Sequence, residues 1–211
     1  MPTRIKICGI TRLEDAQLAA ELGTSALGFN FYPPSPRYIT PADAFKIIRQ
    51  LSPFVVAVGV FADETDLRHV ADIAREAGVN AVQLRNPHPS AAAGAALGSY
   101  PVIWTVAVAS DFVPKDLKAL KARAFLLDAS DPTLRGGTGK TFDWNLAREA
   151  KQYGRIILAG GLTPENVGDA ICTVRPDAVD VASGVESSPG KKDPAKLRDF
   201  FAAVEEADRS D

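Results

Sequence analysis

The sequence predicts a (β/α)8 barrel of the TIM type, a single α/β domain, and three observations lead there. Eight short apolar runs recur along the chain, each followed by a longer stretch with helical character, about 25 residues per unit. The chain has 211 residues, near the lower size limit for eight such units yet ample for one core. No break in composition divides it, so residues 1–204 read as one domain and residues 205–211 as a fraying polar tail. The alternative is an open doubly wound sheet. Its dinucleotide-binding version is weakened because no GxGxxG follows the first run.

Taken in order, the strands are Arg4–Cys8, Ala26–Asn30, Val55–Phe61, Ala81–Leu84, Val102–Val106, Ala124–Asp128, Ile156–Ala159 and Ala178–Val181. A helix over Leu13–Leu22 follows the first, because Leu13, Ala16, Ala20 and Leu22 fit a helical period and Gly23 stops it. The loop after the second strand, Phe31 to Tyr38, is stiffened by Pro33, Pro34 and Pro36. Asp63–Ala77 reads as the third helix, closed by Gly78. The fourth and fifth, near Pro89–Leu97 and Pro114–Lys121, carry the faintest patterns. The seventh opens at Thr163-Pro164-Glu165, a capping residue followed by proline at the first helical position. Cys172, inside it, reads as a buried structural thiol.

Bulk properties narrow the function. Hydrophobic residues make up 46% and charged residues 24%, with a net charge of −2, so no broad electrostatic footprint for nucleic acid exists. Two cysteines form neither a disulfide framework nor a CxxC metal site. The N-terminus enters a strand-like run with no export leader, and no apolar run is long enough for a bilayer. The expectation is a cytoplasmic protein without a membrane partner. The two histidines, His69 in a helix and His88 between prolines, stand at no strand end, which argues against a Ser-His-Asp triad or a histidine metal site. No metal or cofactor is expected. Whether the chain is a monomer or a homodimer stays open.

In such barrels the chemistry sits at the C-terminal strand ends. Alternation turns Ile5 and Ile7 toward the helices and Lys6 and Cys8 inward. Asp128 ends the sixth strand, Gln83-Leu84-Arg85 the fourth, and Asp180 lies in the eighth. A thiol and a carboxyl facing each other across the mouth make a proton-transfer pair, with Lys6 as the cation that would lower the thiol pKa and a dry environment raising that of Asp128. Taken singly, Cys8 also reads as a small buried hydrophobe and Asp128 as a cap. Their joint placement favours chemistry.

Glycine-rich stretches follow the seventh and eighth strands, at Gly160-Gly161 and Ser183-Gly184, where this fold commonly binds phosphate. Together they indicate a phosphorylated small-molecule substrate. Gly139-Lys140-Thr141 imitates the end of a nucleotide-binding P-loop, but the required earlier glycine position is Leu134, and the segment follows the sixth strand. A lid over the substrate is the better reading. Arg37, on the proline-rich loop, can form a bidentate pair with a carboxylate, or can be a solvated surface arginine.

The motifs Lys6-Ile7-Cys8-Gly9-Ile10-Thr11, Ser35-Pro36-Arg37, Val58-Gly59-Val60-Phe61, Gln83-Leu84, Leu126-Leu127-Asp128, Gly136-Gly137-Thr138-Gly139 with Phe142-Asp143-Trp144, Leu158-Ala159-Gly160-Gly161-Leu162 and Asp180 through Glu186 lie in an order that resembles the phosphoribosylanthranilate isomerases. Gly190-Lys191-Lys192-Asp193 fits as well. The resemblance implies an Amadori rearrangement of N-(5-phosphoribosyl)anthranilate in tryptophan biosynthesis. It implies Asp128 as general acid, Cys8 as general base, Arg37 on the anthranilate carboxylate, Gly160, Gly161, Ser183 and Gly184 around the phosphate, and Asp180 as a supporting acid. The family usually has His-Gly after Gln-Leu. Here Arg85-Asn86 stand there, offering a second cation for the carboxylate or marking altered substrate preference or reduced activity. Two other classes compete: a phosphate-binding lyase of the indole-glycerol-phosphate synthase kind, which would use Lys6 and leave Cys8 without a task, and a non-catalytic homologue that only binds a phosphorylated ligand.

Overall fold

A computed structural model describes residues 2–85, 96–120, 122, 124–129 and 142–210. Eight parallel strands close into a barrel in chain order: β1 (Arg4–Cys8), β2 (Ala26–Asn30), β3 (Val56–Phe61), β4 (Ala81–Arg85), β5 (Val102–Val108), β6 (Ala124–Ala129), β7 (Arg155–Leu158) and β8 (Ala178–Val181). Pairing of β1 with β8 completes the closure and sets Lys6 opposite Asp180. The predicted barrel forms, and each strand falls within two residues of its predicted bounds.

The helices deviate more, and local capping chemistry gives the reason. Helix α1 covers Leu13–Glu21 and α2 covers Pro41–Ile48, the latter started by Thr40, whose hydroxyl accepts from the Asp43 N–H, with proline at its first position. Helix α3 begins at Leu67 rather than Asp63 and runs to Ala77, because the Asp66 carboxylate captures the free N–H groups of Arg68 and His69. Gly78 at φ 70° closes it as expected. Pro114–Leu120 is a 3-10 helix. Helix α4 is Trp144–Ala150. Helix α5 starts at Val167 and ends at Val174, four residues after the expected Thr163 cap, since Asn166 spends its side chain on the preceding turn. Cys172 in α5 is exposed, not buried. Beyond β8 a short 3-10 turn (Ser183–Val185) leads to a hairpin, β9 (Glu186–Ser188) with β10 (Lys191–Lys192). Helix α6 then spans Pro194–Arg209, running through most of the expected tail and burying Ala207. Asn86, His88, most of Pro89–Leu97 and the whole of Arg135–Thr141 lie outside the described residues.

Apolar side chains separate into two compartments. The larger fills the shell between strands and helices, with Ile7, Leu27, Phe29, Phe125, Ile156 and Phe200 fully buried. A small second cluster of Leu126, Ile157 and Ala159 lies apart from it. Leu126 and Asp128 are two residues apart on one strand and share a face, so this cluster plugs the barrel beneath the mouth where Asp128 stands. Among the described residues no helix is long and apolar enough to cross a membrane.

Candidate active site

A cavity of about 510 Å3 opens at the C-terminal ends of the strands. Cys8, Arg37, Gln83, Arg85, Asp128, Gly160, Gly161, Asp180 and Ser183 all line it. Of the catalytic and binding residues expected from the sequence, Gly184 does not, and Lys6, expected beside Cys8, lies below it. The close approach of Gly184 is to the neighbouring loop, where an added Cβ would fall 2.0 Å from the Leu162 carbonyl oxygen.

The floor is ionic. Lys6 and Asp180 face each other across the β1–β8 seam with Nζ 2.7 Å from Oδ1, and both are buried. Burial works against the Lys6 charge, but Asp180 and then Cys8 outweigh it, so its pKa is raised and the ammonium is secure. Cys8 stands directly above, and Gly28 on β2 makes room for it: a Cβ there would lie 2.9 Å from the sulfur and 3.2 Å from Lys6 Nζ. The sequence suggested that the lysine would lower the thiol pKa. Burial wins instead and pushes the Cys8 thiol up, with Lys6 and Lys192 pulling the other way and Asp180 adding to the rise.

Across the mouth, burial raises the Asp128 carboxyl to about 6, opposed by Arg85 and aided by Asp180. Arg85 Nη2 is 3.9 Å from Asp128 Oδ2. Asp128 therefore does hold its proton far better than an ordinary aspartate, as an acid in a closed site should. Gln83 donates through Nε2 to the Thr105 hydroxyl at 3.0 Å, while its Oε1 is buried with no partner among the described residues. A buried acceptor in that state asks for a donor from a bound molecule, such as a sugar hydroxyl.

Arg37 differs from the sequence expectation in one respect. Its guanidinium is not waiting free, because Nε and Nη2 already grip Glu186 at 2.9 and 2.7 Å. Its stem crosses Gly9, where a Cβ would collide with Cδ at 2.5 Å. Asn30, the last residue of β2, shapes the loop that carries it: Asn30 donates to the Ser35 hydroxyl, and that hydroxyl accepts the Arg37 N–H. Arg37 and Lys192 together outweigh burial and hold the Glu186 carboxyl below its usual range.

The glycine turn after β7 is shaped by backbone. Gly160 has φ +84° and sits so close to β6 that a Cβ would lie 2.2 Å from the Ala129 nitrogen. Only glycine fits there. Asn166 takes the Gly161 carbonyl and the Thr163 N–H with its own amide, holding the turn in shape.

Sequence reading missed Asn30, Thr105, Glu186 and Lys192 as parts of the site. Asn30 is legible as the last residue of β2, whereas Thr105 stands next to the expected end of β5 at Val106 but mid-strand in the structure, where β5 runs on to Val108. Glu186 and Lys192 fall within the family-like motifs, but nothing in their own residue types marks a buried role, because charged residues default to solvent unless a distant partner is known. Among the described residues no cluster of three His, Cys, Asp or Glu side chains stands ready for a metal.

Comparison with known proteins identifies a family. The family model for N-(5'-phosphoribosyl)anthranilate (PRA) isomerase matches residues 5–203. An N-(5'-phosphoribosyl)anthranilate isomerase from Geobacter sp. (strain M21) is 50% identical over 95% of this chain and 97% of its own. The crystal structure of phosphoribosyl anthranilate isomerase from Thermotoga maritima superposes with a TM-score of 0.88 at 43% identity, covering 97% of this chain and 99% of that one. A phosphoribosyl anthranilate isomerase in complex with reduced 1-(o-carboxyphenylamino)-1-deoxyribulose 5-phosphate is similar at 40% identity and a TM-score of 0.85, over 97% and 99% of the two chains.

Proposed function

The chain belongs to the N-(5'-phosphoribosyl)anthranilate (PRA) isomerase family, and from that premise we propose that it converts N-(5-phosphoribosyl)anthranilate to 1-(2-carboxyphenylamino)-1-deoxyribulose 5-phosphate through its own Cys8 and Asp128. The observation that carries this is the pair itself: a thiol and a carboxyl whose pKa is raised to about 6, on opposite sides of one cavity, with the Gly160–Gly161 turn at its edge. Asp128 gives its proton to the ribose ring oxygen as the C1–O bond breaks, leaving a protonated Schiff base. The Cys8 thiolate takes the C2 proton, and the electron pair of that C–H bond becomes the C1=C2 bond of an enolamine. Cys8 then gives the proton it took to C1 while the enol hydroxyl gives its proton to the Asp128 carboxylate, so the ketone forms and both groups regain their starting states. Substrate and product are isomers, so no net proton or electron is gained.

The remaining side chains bind. Gly160, Gly161 and Ser183 cradle the phosphate, with Gly184 holding Ser183 in place by its packing. Gln83 Oε1 accepts from a ribose hydroxyl. Arg37, presented by Glu186, and Arg85 receive the anthranilate carboxylate. Asp180 keeps Lys6 charged beneath Cys8. Two unpaired cysteines suit a reducing compartment, and we place the protein in the cytoplasm.

The test is an assay with freshly generated N-(5-phosphoribosyl)anthranilate, following loss of anthranilate fluorescence. Wild type should turn over, and Cys8→Ala and Asp128→Asn should each fall by about 10²–10⁴-fold. A folded wild type without turnover overturns the isomerase reading.

A further inference from the structure

Lys192 lies on the hairpin strand β10 rather than at the end of any barrel strand, yet only 1% of it is exposed. A buried ammonium is tolerated only when its donors are met. Here its three protons have three acceptors: the Cys8 carbonyl at 2.5 Å, the Ala182 carbonyl at 3.1 Å and Glu186 Oε1 at 3.0 Å. Each acceptor belongs to a different part of the site. Cys8 ends β1, Ala182 immediately precedes Ser183, and Glu186 grips Arg37. The Lys192 N–H is itself fixed by Asp15 Oδ2 on α1 at 3.0 Å.

We propose that Lys192 is a positioning residue for the rearrangement, fastening the base Cys8, the phosphate loop and the Arg37–Glu186 pair into one frame and placing a positive charge behind the Cys8 sulfur. This rests on the roles given above to Cys8 and Arg37. The charged groups around Cys8 are Lys6 and Asp180 from β1 and β8, Asp128 from β6, and the Lys192–Glu186–Arg37 group from the hairpin and the loop after β2. Lys6 and Asp180 cancel. Arg85 from β4, also lining the cavity, offsets Asp128 when that carboxyl is ionised, and the Lys192–Glu186–Arg37 group has two cations and one carboxylate, so one positive charge is left over. A thiolate at Cys8 answers it. Burial raises the Cys8 thiol, and the two lysines are what oppose that rise. Packing alone would be served equally by an apolar side chain of similar length.

The experiment uses a Cys172→Ser background, in which Cys8 is the one remaining thiol. The pH dependence of Cys8 alkylation by iodoacetamide is measured beside kcat and KM for Lys192→Met and Glu186→Gln. In Lys192→Met the Cys8 titration should move up by about one unit, and kcat should fall about 10²-fold as the base loses its placement. In Glu186→Gln the titration should move down, because a negative charge has gone, and KM should rise about tenfold as Arg37 loses its fork. Opposite movements separate charge from general loosening, which would shift both variants alike. A folded Lys192→Met with unchanged titration and kcat overturns the proposal. Should that variant fail to fold, Glu186→Gln decides, and unchanged titration and KM there overturn it equally. Alkylation reads Cys8 without turnover, so an inactive wild type would sink the isomerase reading while leaving the Lys192 test intact.

Discussion

Asp128 holds the most informative conflict between stability and chemistry. Its carboxyl is raised to about 6 because burial penalises its charge, and its side chain is only 18% exposed. A carboxyl whose folded pKa lies above its unfolded value stabilises the fold fully below the unfolded pKa. That contribution is lost as pH rises through about 6. Near pH 7.5 the native site therefore carries an ionised, partly desolvated carboxylate. Asp128→Asn should cut turnover by the orders of magnitude given above and yet make the protein more stable than wild type above pH 6, by about 2 kcal/mol, with the advantage gone near pH 4. Denaturant titrations at the two pH values check this. Arg85 belongs to the same balance. It is the cation that opposes the rise, so Arg85→Gln should push the Asp128 pKa higher. Because the acid must be protonated to act, the alkaline fall of kcat/KM should then move to higher pH, while KM rises for want of a cation on the carboxylate. A limb that stays in place would mean that Arg85 serves the substrate alone.

The same contrast between local and distant causes appears among the elements. Strand positions were legible because a barrel strand is buried on both faces and reads as a short apolar run ending in the residues that meet solvent or substrate; β1, β2 and β8 fall where the sequence places them. Helix starts were less so, since several carboxylates and amides compete to cap each one. Asp66 outcompetes Asp63 for α3, and Asn166 stabilises a turn instead of extending α5 back to Thr163. The Cys8–Asp128 pair followed from strand ends alone, whereas Lys192 and Glu186 depend on three segments meeting at once. The loops after β7 and β8 show what such meetings impose. Gly184 meets the Leu162 carbonyl with no room for a methyl group, so Gly184→Ala must part the two loops proposed above to hold the phosphate. KM should rise by tenfold or more with a smaller change in kcat, since both ground state and transition state carry the same phosphate. Equal losses in kcat and kcat/KM would instead assign the loop contact to the transition state.

At the scale of the whole molecule, closure joins the two ends of the chain. The first and last strands of the barrel are neighbours, and the Lys6–Asp180 pair beneath the site exists only because β1 and β8 meet. The terminal segments reinforce that seam from outside. The Asp208 carboxylate near the end of α6 accepts from the Thr3 N–H at 2.7 Å and from its hydroxyl at 2.6 Å, just ahead of β1, and the same turn buries Ala207. Composition alone marked residues 205–211 as a fraying polar tail. Their contacts predict otherwise. Removing them deletes two hydrogen bonds to a charged acceptor, each worth about 1–1.5 kcal/mol when partly buried, and about 1 kcal/mol of apolar burial. A chain ending at Val204 should therefore unfold about 2–4 kcal/mol more easily. The effect should reach the site through β1, so turnover should fall at a lower temperature than in wild type while KM at 25 °C stays close to normal. Asp208→Asn, which keeps the helix and weakens both bonds, should give a smaller loss of the same kind. If the truncated chain matches wild type in denaturant, the seam is held by the barrel ladder alone and the helix end is free of it.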